Sequence, residues 1–238
     1  MRFIIVRHGD PDYSIDSLTP KGWKEAELLS DRLVKLDVKN FYCSPLGRAK
    51  DTASKTLEKL SRKAETLKWA REFEGKVKIN GETKSAWDRL PTEWTDNPDF
   101  YSPQNWIKTQ IMQSGNVEKK YKKVCRGVDE LLAKHGYVHK GNIFEVKEAN
   151  HDTIVLFCHF GVECVILSHI FGCSPMVLWH NFVALPTSVT TLITEEREEG
   201  IAVFRIQQFG DISHLYAGGE EPAFAARFCE CFSDDTRH

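Results

Sequence analysis

This chain has no long apolar run, no large charge excess and no paired cysteine motif, and each lack removes a class of protein. No stretch approaches the roughly 20 consecutive apolar residues that cross a bilayer. A formal charge of -2, from 32 Lys+Arg against 34 Asp+Glu, argues against a nucleic-acid partner, which needs a basic surface. The 7 cysteines form no CxxC pair and their number is odd, so a reduced cytoplasmic protein is expected rather than a disulfide framework. The start shows no basic n-region, apolar h-region and cleavage site, because an apolar strand begins at residue 2, so no leader is expected. There is no internal repeat and no low-complexity segment.

What is present reads as a globular α/β chain. Apolar residues make up 41% and charged residues 28% of 238 positions, enough for one domain with a substantial core. Met1 to Val6, apolar but for Arg2, reads as a strand of the kind covered on both faces, and it runs into Arg7-His8-Gly9. Ligands of open α/β sheets bind outside the carboxyl ends of the strands. A histidine at that address can be a nucleophile, a base or a metal ligand, and the arginine beside it suggests an anionic ligand.

Thr19-Pro20 predicts a helix start, a capping hydroxyl followed by proline at the first helical position, with a helix to about Leu36. Trp23, Ala26, Leu29 and Leu33 would form its inner face. Val38 to Cys43 reads as a second strand, and Ser44-Pro45 repeats the cap signal. The helix that follows carries Leu46, Ala49, Ala53, Leu57 and Leu60 at steps of three and four. Glu65 to Ala70 is a third candidate strand. From about 83 to 150 the pattern changes: Trp87, Trp94, Tyr101 and Trp106 sit among prolines and polar residues, followed by a helical stripe at Val117, Tyr121, Val124, Val128 and Leu131. A helical cap packed over the sheet is expected there, its tryptophans serving as cap core. The α/β rhythm returns with Thr153 to Cys158, then His159, then a helix from about Val162 to Phe171 stopped by Gly172. Ser188 to Thr194 and Ile201 to Gln207 read as an antiparallel pair, and the last fifteen or so residues as a weakly ordered tail.

Three strand ends thus carry functional groups: Arg7 with His8, Arg48 in the first turn of its helix, and His159. A helix N-terminus attracts phosphate, and two guanidiniums with two imidazoles make a pocket for a dianionic tetrahedral group. A neutral imidazole could attack phosphorus in line while the arginines hold non-bridging oxygens.

Val6-Arg7-His8-Gly9, the helix Ser44-Pro45-Leu46-Gly47-Arg48-Ala49-Lys50-Asp51-Thr52-Ala53, Cys158-His159-Phe160-Gly161 and the late Gly210 to Leu215 together resemble the histidine phosphatase (phosphoglycerate mutase-like) superfamily. The resemblance implies a three-layer α/β/α sandwich, its sheet mainly parallel with one antiparallel strand. It also implies His8 as the nucleophile that becomes phosphohistidine, and Arg7, Arg48 and His159 as phosphoryl-binding groups. The segment Arg71-Glu72-Phe73-Glu74-Gly75 matches the stretch that carries the family's acidic proton donor, placing it at Glu72 with Glu74 as second choice. No metal or other cofactor is implied. The sequence departs from the pattern at Ser14, where members often carry Asn, and at Phe160, where His-Gly-Gly is commoner. Ser14, Phe160 and Gly161 therefore join the expected substrate-binding wall.

The function expected is a metal-independent phosphatase acting on a phosphorylated small molecule. A phosphoglycerate mutase-type phosphotransferase and a non-catalytic phospho-ligand-binding module are the alternatives. His135-x3-His139 has a spacing seen in zinc sites, but no Cys or acidic partner accompanies it, and it reads as a solvated helix end. Lys119, Lys120, Lys122 and Lys123 read as the wet face of their helix. Substrate identity and oligomeric state have no readable code.

Overall fold

Phe3, Ile4, Ile5 and Val6 are all buried, and their alternation sorts the interior into two cores on opposite faces of one sheet. In this computed structural model, which describes residues 1–79, 81–225 and 227–234, Phe3 and Ile5 join one core while Ile4 and Val6 join the other. The chain begins with β1 (Arg2–Arg7), a short pair β2 (Pro11–Asp12) and β3 (Ser17–Leu18), then α1 (Pro20–Leu33), β4 (Asn40–Cys43), α2 (Gly47–Leu60) and β5 (Ala64–Thr66). A hairpin of β6 (Lys76–Ile79) and β7 (Glu82–Ser85) follows, with 3-10 turns, α3 (Gln110–Gln113), α4 (Val117–Lys134), β8 (Tyr137–Lys140) and β9 (Ile143–Val146). The last elements are β10 (Thr153–Cys158), α5 (Phe160–Phe171), α6 (Pro175–Asn181), β11 (Val189–Glu198), β12 (Ile201–Asp211) and α7 (Ser213–Ala217).

The main sheet has the order β5-β4-β10-β1-β11-β12-β9-β8. Helices α1 and α2 bury Leu29, Leu33, Ala49 and Ala53 on one face, against Val155 and Phe157. The other face packs α4, α5 and the tryptophan-rich turns over Phe3, Ile5 and Leu156. The expected three-layer α/β/α class holds. The antiparallel share is larger than the one strand expected: β11, β12, β9 and β8 are each added antiparallel beyond β1.

That difference also corrects the reading of 83–150 as helical. Its α4 is the expected stripe, with Val124, Val128 and Leu131 buried, but β8 and β9 form a hairpin that extends the main sheet. Each strand is four residues long around a turn in which Gly141 takes φ 67, too short for alternation to announce itself. The third candidate strand contracts to β5 and a 3-10 turn over Lys68–Ala70. Thr19 caps α1 as expected, accepting from Gly22 N at 3.0 Å, while Trp23 is only half-buried. Ser44 is not the N-cap of α2, which starts at Gly47; its hydroxyl accepts from Leu46 N at 3.3 Å and also bonds an imidazole. In the tail, Ala223 N donates to buried Glu25 at 3.0 Å, and residues 235–238 lie outside the described set. Among the described residues no helix is long and apolar enough to cross a membrane, and all the cysteines are free.

Ile5 has 0% exposure at the centre of the sheet, so Ile5→Ala is expected to cost about 2–5 kcal/mol of unfolding free energy, read as a lower urea midpoint at unchanged slope.

Candidate active site

β1 and β10 run side by side in parallel, Arg7 opposite Cys158, so the next residue of each strand leaves the sheet at the same level. Those residues are His8 and His159. Their ring centroids lie 5.0 Å apart with the planes at 58°, close enough for both to reach one bound oxyanion. His8 is buried, and its Nδ1 lies 2.7 Å from Gly9 O, an acceptor, so Nδ1 carries the proton. Nε2 is left with a lone pair, towards which Arg48 Nε–H points at 3.3 Å. His159 Nε2 lies 2.7 Å from Ser44 Oγ, and its buried Nδ1 has no hydrogen-bond partner. Burial, then Arg7 and Arg48, hold His8 well below the ordinary histidine range; burial, then His8 and Arg48, do the same to His159. Both rings are therefore neutral near pH 7.

The two arginines are anchored differently: Arg7 at one end only, Arg48 through both Nε and NH1. Arg7 donates through NH1 to Ala184 O at 2.5 Å, and its buried Nε has no partner. Arg48 pairs with Asp16 Oδ1 at 2.6 Å, and the other oxygen of Asp16 accepts from Gly47 N at 2.8 Å. A Cβ at Gly47 would meet Asp16 O at 2.0 Å, so glycine is what lets this loop touch the helix start. The Tyr13 ring lies 5.4 Å from Arg48 Cζ. Asp16 and Tyr13 escaped the sequence reading because the loop before Thr19 has no period to read. Ser14 is exposed and gives its hydroxyl to Asp12 at 2.5 Å, a turn contact.

Glu72 and Glu74 separate clearly. Glu74 pairs with Lys120 at 2.9 Å and Arg71 at 3.1 Å, and the Lys120 bond leads in holding it below the usual range, so it stays ionised. Glu72 accepts at Oε1 from Phe73 N at 2.7 Å and from Val162 N at 3.2 Å. Part of the residue remains accessible, yet the carboxyl lies against Gly161, where a Cβ would come within 2.6 Å of Oε1. Desolvation raises its pKa, with those backbone bonds and the two arginines pulling the other way. Phe160 is half-buried against the core that holds Val162 and Trp179, and Gly161 O accepts from Trp179 Nε1 at 3.0 Å.

Glu163 was also missed. It is buried one position after Val162, and burial raises its pKa to about 7 against the opposing pull of Thr190 and Arg7. A glutamate inside the otherwise apolar run Val162 to Leu167 was the available signal. A groove of about 480 Å³ between α2 and β5 holds none of these groups, so size does not mark the site; convergent polar chemistry does.

Two neutral imidazoles, two buried guanidiniums and a carboxyl of raised pKa define a site for phosphoryl transfer. The chain belongs to the histidine phosphatase superfamily (branch 1), whose family model matches residues 3–207. It is 40% identical over 60 residues to the 2,3-bisphosphoglycerate-dependent phosphoglycerate mutase of Thermoplasma acidophilum, covering 21% of this chain and 30% of that protein. Its fold is similar to that of phosphoserine phosphatase from Entamoeba histolytica, solved with phosphoserine, at 18% identity and a TM-score of 0.60 over 90% of this chain and 98% of that one. A mycobacterial glucosyl-3-phosphoglycerate phosphatase, at 19% identity, gives a TM-score of 0.58 over 87% of this chain and 98% of that one.

Gly161→Ala should leave the protein folded by circular dichroism but push Glu72 off its backbone donors. A displacement of that size is expected to lower phosphoryl-transfer kcat about 100-fold.

Proposed function

We propose that this protein is a phosphomonoesterase that hydrolyses a phosphorylated small molecule through a phosphohistidine at His8. One observation carries the reading: His8 has its Nδ1–H against Gly9 O and its Nε2 lone pair towards Arg48, between the second imidazole and the first turn of α2. Nε2 attacks phosphorus as the bond to the leaving oxygen breaks. Arg7, Arg48 and His159 take the non-bridging oxygens. Glu72, its pKa raised by desolvation, gives its proton to the leaving alkoxide, then removes one from the water that attacks the phosphohistidine and releases phosphate.

The two shifts have opposite signs and suit this division of labour. Burial holds His8 well below the ordinary histidine range, so it stays nucleophilic in weak acid; desolvation raises Glu72 above the ordinary carboxyl range, which extends its acid form to higher pH. A kcat/KM optimum on the acid side of neutrality is expected, with the alkaline limb lost in Glu72→Gln. That variant should lose about 10²–10⁴-fold in kcat on alkyl phosphates and much less on an activated aryl phosphate, whose leaving group needs no proton. Equal losses on both substrates would reassign the donor.

Hydrolysis is favoured over mutase chemistry because the loop from Asp10 to Ser14 offers no cation for a second anionic group. The phosphatases with this fold, among them those solved with phosphoserine and with 3-phosphoglyceric acid, support a small phosphorylated substrate. Incubation with a panel of phosphomonoesters should release inorganic phosphate, with acid-labile label on His8 and none in His8→Ala. Isomerisation of phosphoglycerate without phosphate release would favour the mutase reading. Turnover by His8→Ala equal to wild type would overturn both.

A further inference from the structure

Away from these residues, α4, β8 and α5 each contribute one side chain to a single point. His139 Nδ1 lies 2.9 Å from Asp129 Oδ1, His169 Nε2 lies 2.8 Å from the same oxygen, and the two nitrogens are 3.2 Å apart. We propose that Asp129, His139 and His169 form a binding site for a divalent transition-metal ion, Zn²⁺ being the best fit.

Hydrogen bonds alone serve this triangle poorly. A ring nitrogen facing a carboxylate oxygen needs a proton, and here two of them face one oxygen and each other. Protonating both crowds two N–H groups into one gap, whereas protonating one leaves a lone pair aimed at the carboxylate. A cation at the centre accepts all three lone pairs together. Zinc–nitrogen and zinc–oxygen bonds of about 2.0–2.2 Å give tetrahedral edges of about 3.3 Å, so the three atoms need to part by only a few tenths of an ångström. Two imidazoles and a carboxylate suit zinc and its neighbours in the transition series, not calcium or magnesium.

The frame is already in place. His139 is held by stacking on Phe144, with centroids 4.4 Å apart and planes at 7°. Asp129 and His169 keep 38% and 21% of their side-chain surface open, which leaves a fourth position for water. The spacing noticed in the sequence, His135 with His139, is not the pair that meets: His135 Nε2 is engaged by Tyr42 OH at 2.8 Å. The far nitrogen of His139 is buried without an acceptor, so affinity should fall about 10–100-fold below that of a site with such support. His169 sits near the C-terminal end of α5, about 15 Å along the helix axis from His159 at its start, so the ion would tie three elements together rather than enter phosphoryl transfer.

The test uses the full chain, stripped with chelator and titrated with Zn²⁺ by calorimetry and with Co²⁺ by visible absorption. The expected result is one saturable equivalent of micromolar affinity, cobalt d–d bands without thiolate charge transfer, and a thermal midpoint that rises with Zn²⁺. Asp129→Asn and His169→Gln should each bind at least tenfold more weakly, while a Cys229→Ser/Cys231→Ser double variant binds as wild type. Ring-nitrogen NMR of the unsubstituted protein reads the same site without any variant, as Zn²⁺-dependent shifts of His139 and His169. No saturable binding, unshifted rings, or a cobalt spectrum dominated by thiolate would overturn the assignment.

Discussion

The parallel pairing of β1 with β10 is the constraint on which the site depends. It fixes two imidazoles 5.0 Å apart and continues one residue beyond the strands, where His8 N donates to Cys158 O at 3.0 Å. On the other side β1 pairs with β11, and Arg7 N donates to Ser188 O at 3.1 Å. His8 thus stands between two backbones that cannot slide without breaking a ladder through the middle of the core. Thr187, at φ 57, closes the frame by donating its N–H to His8 O at 3.1 Å, and its hydroxyl meets His214 at 3.1 Å.

Burying four nitrogenous side chains together is costly unless most of them are uncharged or paired. The chain meets that condition in different ways at each group. Both histidines stay neutral, pressed by burial and by the arginines. Arg48 has Asp16 on its solvent side. Among the carboxyls, Glu72 and then Glu163 act most strongly on Arg7, and desolvation raises the pKa of both. An incoming phosphoryl dianion would supply the missing negative charge and a partner for the buried Arg7 Nε–H.

The tryptophan-rich segment braces this arrangement. Trp179 holds Gly161 O and packs on Phe73 at 5.2 Å, and Trp106 meets Trp179 edge-on at 5.8 Å. Trp106 and Trp94 are buried, as a cap core predicts, while Trp87 is half-buried and donates to Phe73 O at 3.2 Å. The aromatic turns therefore press on the two chain segments, around Glu72 and Gly161, whose contact sets the position of the carboxyl.

Much of this was legible in the residues. Apolar runs announced β1 and β10, proline and glycine marked the ends of α1 and α5, and the motif residues at 7, 8, 48 and 159 met as their places at strand ends implied. Periodicity and capping are local, so one chain segment suffices to show them. The orienting partners Ser44, Asp16 and Glu163, the separation of Glu72 from Glu74, and the meeting of Asp129 with His139 and His169 were decided only in three dimensions. Each is a contact between segments far apart in the chain, or a degree of burial, and neither is written in the spacing of neighbouring residues.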